Sequence, residues 1–192
     1  MTNPKPPKIL ITTSRNPTQR IRTFCNDLTR TLPNSIRITR GKSSLNTLAE
    51  KALEHEAERL IIAERWKGNL GKIHLFTLGD TGLVQFYPII SVKSVKLRRD
   101  FGRTRGKTAK SLILQTAPEI PSDARKLADA LAHFLNAPKH STDVPLPPNT
   151  QTIMHISLNF ARRIQITFLQ TPEKNEIGPR ITVSHLIWKP RK

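Results

Sequence analysis

Six histidines, one cysteine and 14 carboxylates are the side chains through which this chain of 192 residues could do chemistry. His55, His74, His133, His140, His155 and His185 form no His-Glu-x-x-His pattern and no close grouping with Cys or Asp, so no bound metal is expected. Cys25 is the single cysteine; it can form neither an intrachain disulfide nor a thiolate cluster, which suits a reducing compartment. It falls on the apolar face of an amphipathic segment, so a buried structural thiol is expected rather than a nucleophile, which needs an accessible electropositive pocket. Glu54, Glu56 and Glu58 cluster at the end of a helical segment, where solvation is the default. Gly68-Asn-Leu-Gly71 and Gly79-Asp-Thr-Gly82 lack the Gly-x4-Gly-Lys-Ser/Thr pattern of a phosphate loop and read as turns. Chemistry needing two placed acids, or carboxylates for Mg²⁺, has little to draw on. No catalytic residue and no cofactor is expected.

The cations are a different matter. Lys and Arg total 32, and the formal net charge is +18. A field of that sign concentrates polyanions. The basic positions fall into groups: Arg15, Arg20 and Arg22; Arg37, Arg40 and Lys42; Arg65 and Lys67 around Trp66; the run over 93–110, with eight basic residues and one acid; and Arg162, Arg163 and Arg180. The first group stands where a strand gives way to a helix, and a helix N-terminus offers free N–H groups to a phosphate. Trp66 between two cations could stack on a base. Aromatics are only 5% of the chain and no Lys/Arg-Gly-Phe motif of the RNP type occurs, which points to backbone and shape recognition of folded RNA. Charge alone suits DNA equally, but nothing resembles a helix-turn-helix, zinc finger or bZIP. The expected RNA contacts are Ser14, Arg15, Arg20, Arg40, Lys42, Arg65, Lys67, Arg98, Arg99, Arg103, Arg105, Arg162 and Arg180. No apolar run approaches the roughly 20 residues that span a bilayer, and residues 1–8 do not read as a signal peptide. A cytoplasmic protein without a membrane partner is expected.

The elements that must position these residues follow from periodicity. Strands are predicted over 8–13, 36–40, 59–63, 73–78, 83–90, 111–116, 152–159, 162–169 and 180–188. A first helix is expected from Asn16-Pro17, with Asn16 as N-cap and Gln19 three residues on. Its apolar residues Ile21, Phe24, Cys25, Leu28 and Leu32 share one face. Ser43 or Ser44 is expected to cap a second helix and Ser122 a third. The run over 93–110 reads as an irregular loop, and 136–150, with Pro138, Pro145, Pro147 and Pro148, as another. Strands alternating with helices imply an α/β fold with parallel pairs and packed helices. If the first two strands are parallel neighbours, their basic exits share one edge of the sheet. The second part of the chain loosely echoes the first.

Ile9-Leu-Ile-Thr-Thr-Ser-Arg-Asn-Pro-Thr-Gln-Arg20, followed by a helix and Ile38-Thr-Arg-Gly41, resembles the opening of the Brix domain of ribosome-biogenesis factors. Glu176-Ile-Gly-Pro-Arg-Ile-Thr-Val183 resembles that family's Gly-Pro-Arg signature, and His155-Ile-Ser-Leu-Asn-Phe-Ala-Arg162 the strand before it. The resemblance implies a single Brix domain over 1–192 in a minimal form, with similar halves of about 8–90 and 91–190. Each half would resemble the anticodon-binding domain of class IIa aminoacyl-tRNA synthetases. It also implies a non-catalytic factor that binds ribosomal RNA or its precursor, assists pre-rRNA processing and subunit assembly, and meets ribosomal proteins and other assembly factors. A protein-interaction scaffold within pre-ribosomes is the alternative, and an RNA-processing enzyme a more remote one. Gly178 and Pro179 are expected to shape the turn that presents Arg180, which would either meet a phosphate or pair with an acid.

Overall fold

The computed structural model describes residues 7–102 and 108–189. The chain opens with β1 (Ile9–Thr13), α1 (Gln19–Thr31), β2 (Ser35–Arg37), α2 (Leu45–Glu54) and β3 (Arg59–Trp66). Two long strands follow, β4 (Asn69–Gly79) and β5 (Gly82–Lys96), then a short 3-10 helix at Arg98–Phe101. The remainder is β6 (Leu112–Thr116), α3 (Ser122–Leu135), β7 (Thr152–Leu158), β8 (Ile164–Gln170), β9 (Asn175–Glu176) and β10 (Arg180–Ile187). All ten strands share one mixed sheet in the order β2-β1-β3-β4-β5-β10-β8-β7-β6, with β9 beside β8.

β1 lies between β2 and β3 and runs parallel to both. Alternation along it decides which helix covers which face. Ile9 and Ile11 join the large core with α1 (Ile21, Phe24, Leu28) and α3 (Leu127, Leu131, Phe134). Leu10 points the other way, into a smaller cluster with Leu48 and Ala52 of α2, Leu60 and Phe76. The chain thus leaves β1 across one face and β2 across the other, and the loops diverge at the carboxyl ends of these strands. In open α/β sheets such a divergence opens a crevice.

The second part repeats the pattern. β6 leads into α3, and after α3 the backbone at Lys139 makes a parallel bridge to Leu114 on the free side of β6. Leu114 N donates to Pro138 O (2.9 Å) and His140 N to Leu114 O (2.9 Å). The bridge takes the place that β2 has beside β1. β7, β8 and β10 then form an antiparallel run as β3, β4 and β5 do. The counterpart of α2 is missing, and its position in the chain holds Pro145, Pro147 and Pro148, which cannot supply helical N–H donors. β5 and β10 pair antiparallel at the centre of the sheet, so the parts meet as if related by a two-fold axis through that seam.

Several expectations need correction. Asn16 is not a cap: it turns the chain at φ +53°, a conformation Asn tolerates, and Thr18 takes the N-cap position without a side-chain bond. Ser44 does cap α2, accepting from Thr47 N at 3.1 Å. Ser122 is the first residue of α3, after Pro121. The run from Lys93 is not all loop. β5 continues to Lys96, passing the boundary expected at residue 90, because Val92 and Val95 pack against the core while Lys93 and Lys96 face solvent. Among the described residues no helix is long and apolar enough to cross a membrane.

Candidate nucleic-acid interface

The carboxyl ends of β1, β2 and β3 lie on one edge of the sheet, and the first two basic groups meet there with the third. Two adjoining clefts share Asn16 and Arg40. Between them they are lined by seven cations: Arg15, Arg22, Arg37, Arg40, Lys42, Arg65 and Lys67. The one acid in the lining, Glu64, is taken by His74, whose Nε2 lies 2.7 Å from its carboxylate. Burial, and then the nearby Arg15 guanidinium, push the pKa of Arg40 down. Two arginines crowded together without a neutralising acid form a site that an anion relieves.

Backbone and side-chain bonds hold this edge in shape. Ser14 N donates to Ala63 O (2.8 Å), and Ser14 Oγ accepts from Arg65 N (2.9 Å). Arg65 Nη1 donates to Asn16 O (3.0 Å), and Arg40 Nε to Ser43 O (3.3 Å). Arg37 Nη1 donates to Asn26 Oδ1 (3.0 Å), while its buried Nε has no hydrogen-bond partner among the described residues. Both α1 and α2 begin at this edge with no acid in their first turns, so the positive ends of two helix dipoles add to the field.

Arg15, Arg40, Lys42, Arg65 and Lys67 therefore come together, with Ser14 as a brace between β1 and β3 rather than an open donor. Arg20 does not join them. Its Nη2 donates to Val95 O (2.7 Å), tying α1 to β5 in a separate groove. Arg98 needs correction as an RNA contact, because it is 4% exposed. Its backbone N donates to Asp27 Oδ2 (3.0 Å). Burial raises the Asp27 pKa, against the lowering effect of that bond and of the Arg98, Arg30 and Arg99 charges. Arg99 is exposed, 3.9 Å from Asp100. Arg103 and Arg105 lie outside the described residues. Arg162 is exposed in the β7–β8 turn, on the opposite edge of the sheet. Arg22 and Arg37 line the clefts but are not among the expected contacts; the strand-exit logic that selects Arg15 and Arg40 applies to them once β1 and β2 are known to be parallel.

Arg180 is held by an acid. Its Nε donates to Glu176 Oε1 (2.7 Å), its Nη2 to Glu176 Oε2, and its guanidinium lies 5.2 Å from the Phe101 ring centre. Lys96 approaches the same ring at 4.6 Å. Gly178, at φ +65°, is in the left-handed region, and a Cβ there would stand 3.0 Å from Phe101 Cε2 and 3.2 Å from Arg98 Cα. The Gly-Pro-Arg segment thus docks against the 3-10 helix, and sequence-local reasoning has no sight of that partner.

No family model matches the sequence. A curated protein of Pyrococcus abyssi, a probable Brix domain-containing ribosomal biogenesis protein, is 31% identical over 94% of this chain and 84% of its own length. A protein of the same description from Thermococcus kodakarensis is 28% identical over 94% of this chain and 90% of its own. Among solved structures, a probable ribosomal biogenesis protein of Aeropyrum pernix superposes with a TM-score of 0.76 at 26% identity, covering 96% of this chain and 97% of its own. Mil, an archaeal Imp4-like protein, superposes with a TM-score of 0.64 at 16% identity, covering 94% and 99%, and shares the fold.

Proposed function

The chain belongs to the Brix domain-containing ribosomal biogenesis proteins, and from that premise we propose that it binds ribosomal RNA or its precursor through the exits of β1, β2 and β3. It acts in the cytoplasm without chemistry of its own, assisting pre-rRNA processing and subunit assembly. The observation that carries this reading is the convergence of seven cations on one edge, with the only acid among them already paired. Phosphates positioned there neutralise charge that nothing in the protein neutralises. The expected non-catalytic character draws support from the carboxylates, because Glu64, Asp129 and Glu176 are each engaged by a cation or a His. The reading of the chain as one Brix domain of two similar halves, each like the anticodon-binding domain of class IIa aminoacyl-tRNA synthetases, belongs to the same proposal. The strand order repeated about the β5–β10 seam supports the two halves.

The test is the salt dependence of binding to rRNA fragments. Replacing Arg15, Arg40 and Lys42 together by Gln lowers the slope of log K against log salt by about 2 to 3 units, at roughly 0.7–0.9 per lost phosphate contact. An unchanged slope and affinity refutes the placement. A second reading, contact with ribosomal proteins or other assembly factors, is favoured for the equivalent cleft beside β6. That cleft carries Asp129, paired to Lys139 at 2.6 Å, and Asp143, and so lacks the uniform charge a polyanion wants.

A further inference from the structure

The two-fold relation across the β5–β10 seam makes the β3–β4 and β7–β8 hairpins counterparts, and both carry an unusual tip. At the first, Lys67 and Gly68 form a two-residue turn with φ of +46° and +82°, the tightest hairpin connection. Beside it Trp66 is 66% exposed, between Arg65 and Lys67. Its place is fixed: a Cβ on Gly71 would fall 2.3 Å from Trp66 Cβ, so the indole stem fills the space that the glycine leaves open.

At the second tip Phe160 is completely exposed, next to Arg162 and Arg163. This turn is also built to hold its shape. Asn159 N donates to Arg163 O (2.9 Å), and Arg162 N to Asn159 O (2.8 Å). Asn159 Oδ1 accepts from both Ala161 N and Arg163 N (3.0 Å each). A large aromatic held out by a braced turn gains nothing from the fold, since water surrounds it on all sides. No acid occurs between residues 144 and 172, and neither Arg162 nor Arg163 makes an ion pair among the described residues. Each tip therefore combines a π face with cations that no acid neutralises, which is the chemistry of a surface that stacks unpaired bases and holds their phosphates. A protein pocket built to seat a Phe would have to tolerate two unpaired arginines at its rim.

We infer that the two hairpin tips are a pair of nucleobase-stacking platforms, Trp66 on one edge of the sheet and Phe160 on the opposite edge, so that one RNA is gripped at two places. This rests on the reading of the chain as an RNA binder and adds to it a second contact and a two-site geometry. From β3 to β7 the sheet makes five strand steps, about 24 Å at roughly 4.8 Å per strand. A strand that reaches both tips binds far more tightly than one that reaches a single tip, because the second contact is intramolecular.

The experiment compares single-stranded oligoadenylate of about 30 nucleotides with one of about 6, using the full chain and its Trp66→Ala, Phe160→Ala and Phe160→Trp variants. Both positions are exposed, and circular dichroism confirms that the variants fold. On the long strand each alanine variant loses about tenfold or more in affinity, and Phe160→Trp restores it. On the short strand, which one platform can serve alone, either single variant loses about twofold at most. If the wild-type chain binds the long strand and Phe160→Ala changes its affinity less than twofold, the inference is overturned while RNA binding at the β1–β3 edge stands. It is overturned equally if Phe160→Ala releases a protein partner with RNA affinity intact, or if wild type binds rRNA but not oligoadenylate. If wild type binds neither RNA, the RNA reading falls as well.

Discussion

Replacing Gly178 by Ala tests how the Gly-Pro-Arg segment is seated. The residue sits at φ +65°, where an L side chain costs about 1–2 kcal/mol. The new methyl would stand 3.0 and 3.1 Å from two carbons of the Phe101 ring and 3.2 Å from Arg98 Cα. The ring can give way only by disturbing the Arg180 and Lys96 cations that lie against it, and overpacking of this kind costs about 1–3 kcal/mol. The sum is about 2–4 kcal/mol, read as a lower midpoint in urea unfolding with an unchanged slope. In a Phe101→Ala background the methyl has room on the ring side, and the same substitution should cost only the backbone part, about 1–2 kcal/mol. A cost below about 1 kcal/mol in the wild-type background refutes the close approach. Equal costs in both backgrounds refute the role of the ring.

Two further outcomes follow from the titrating groups. Burial, and secondarily Lys174, hold the His155 pKa below its ordinary 6.5, so between these values the unfolded chain binds the proton and the folded chain does not. Stability therefore falls as pH drops through 6.5 towards the lowered native value, and His155→Gln flattens that part of a chemical-denaturation pH series; an equally steep series in the variant rejects the assignment. Cys25 is fully buried, its Sγ–H directed at Thr12 O at 3.6 Å, and burial pushes its pKa up to about 12. Alkylation at pH 8 should run at least about a thousandfold slower than for a free thiol and should accelerate across the same denaturant range as unfolding; rapid labelling of the native protein contradicts this.

The strands are legible in the sequence wherever alternation has only one reading, as in Ile9–Thr13 or Arg180–Ile187, and so is the helical face of Ile21, Phe24, Cys25 and Leu28. Charge hides part of β5: the lysines at 93 and 96 suggest a loop by composition, although Val92 and Val95 keep pointing inwards between them. The bridge at Lys139 is hidden because a single residue pairing beside β6 leaves no period to detect. At the interface, residue type and strand-exit position identify Arg15, Arg40 and Lys42. They do not separate these from Arg98 or Arg180, because the groups that decide the matter, Asp27 and Phe101, lie 71 and 79 residues away along the chain. Arg20 is misplaced for a similar reason, as its acceptor is a carbonyl 75 residues on.

β10 lies between β5 and β8, yet in chain order it follows every other strand. During synthesis the first five strands can therefore pair while one whole side of β5, a strand of 15 residues, still has its backbone donors and acceptors unmet. The β6–β8 group waits likewise on the far side. Only when residues 180–187 leave the ribosome does the inserted strand close both open edges at once. A nascent chain halted short of that point carries two edges ready to pair with other chains, and its protection against aggregation arrives with its last strand.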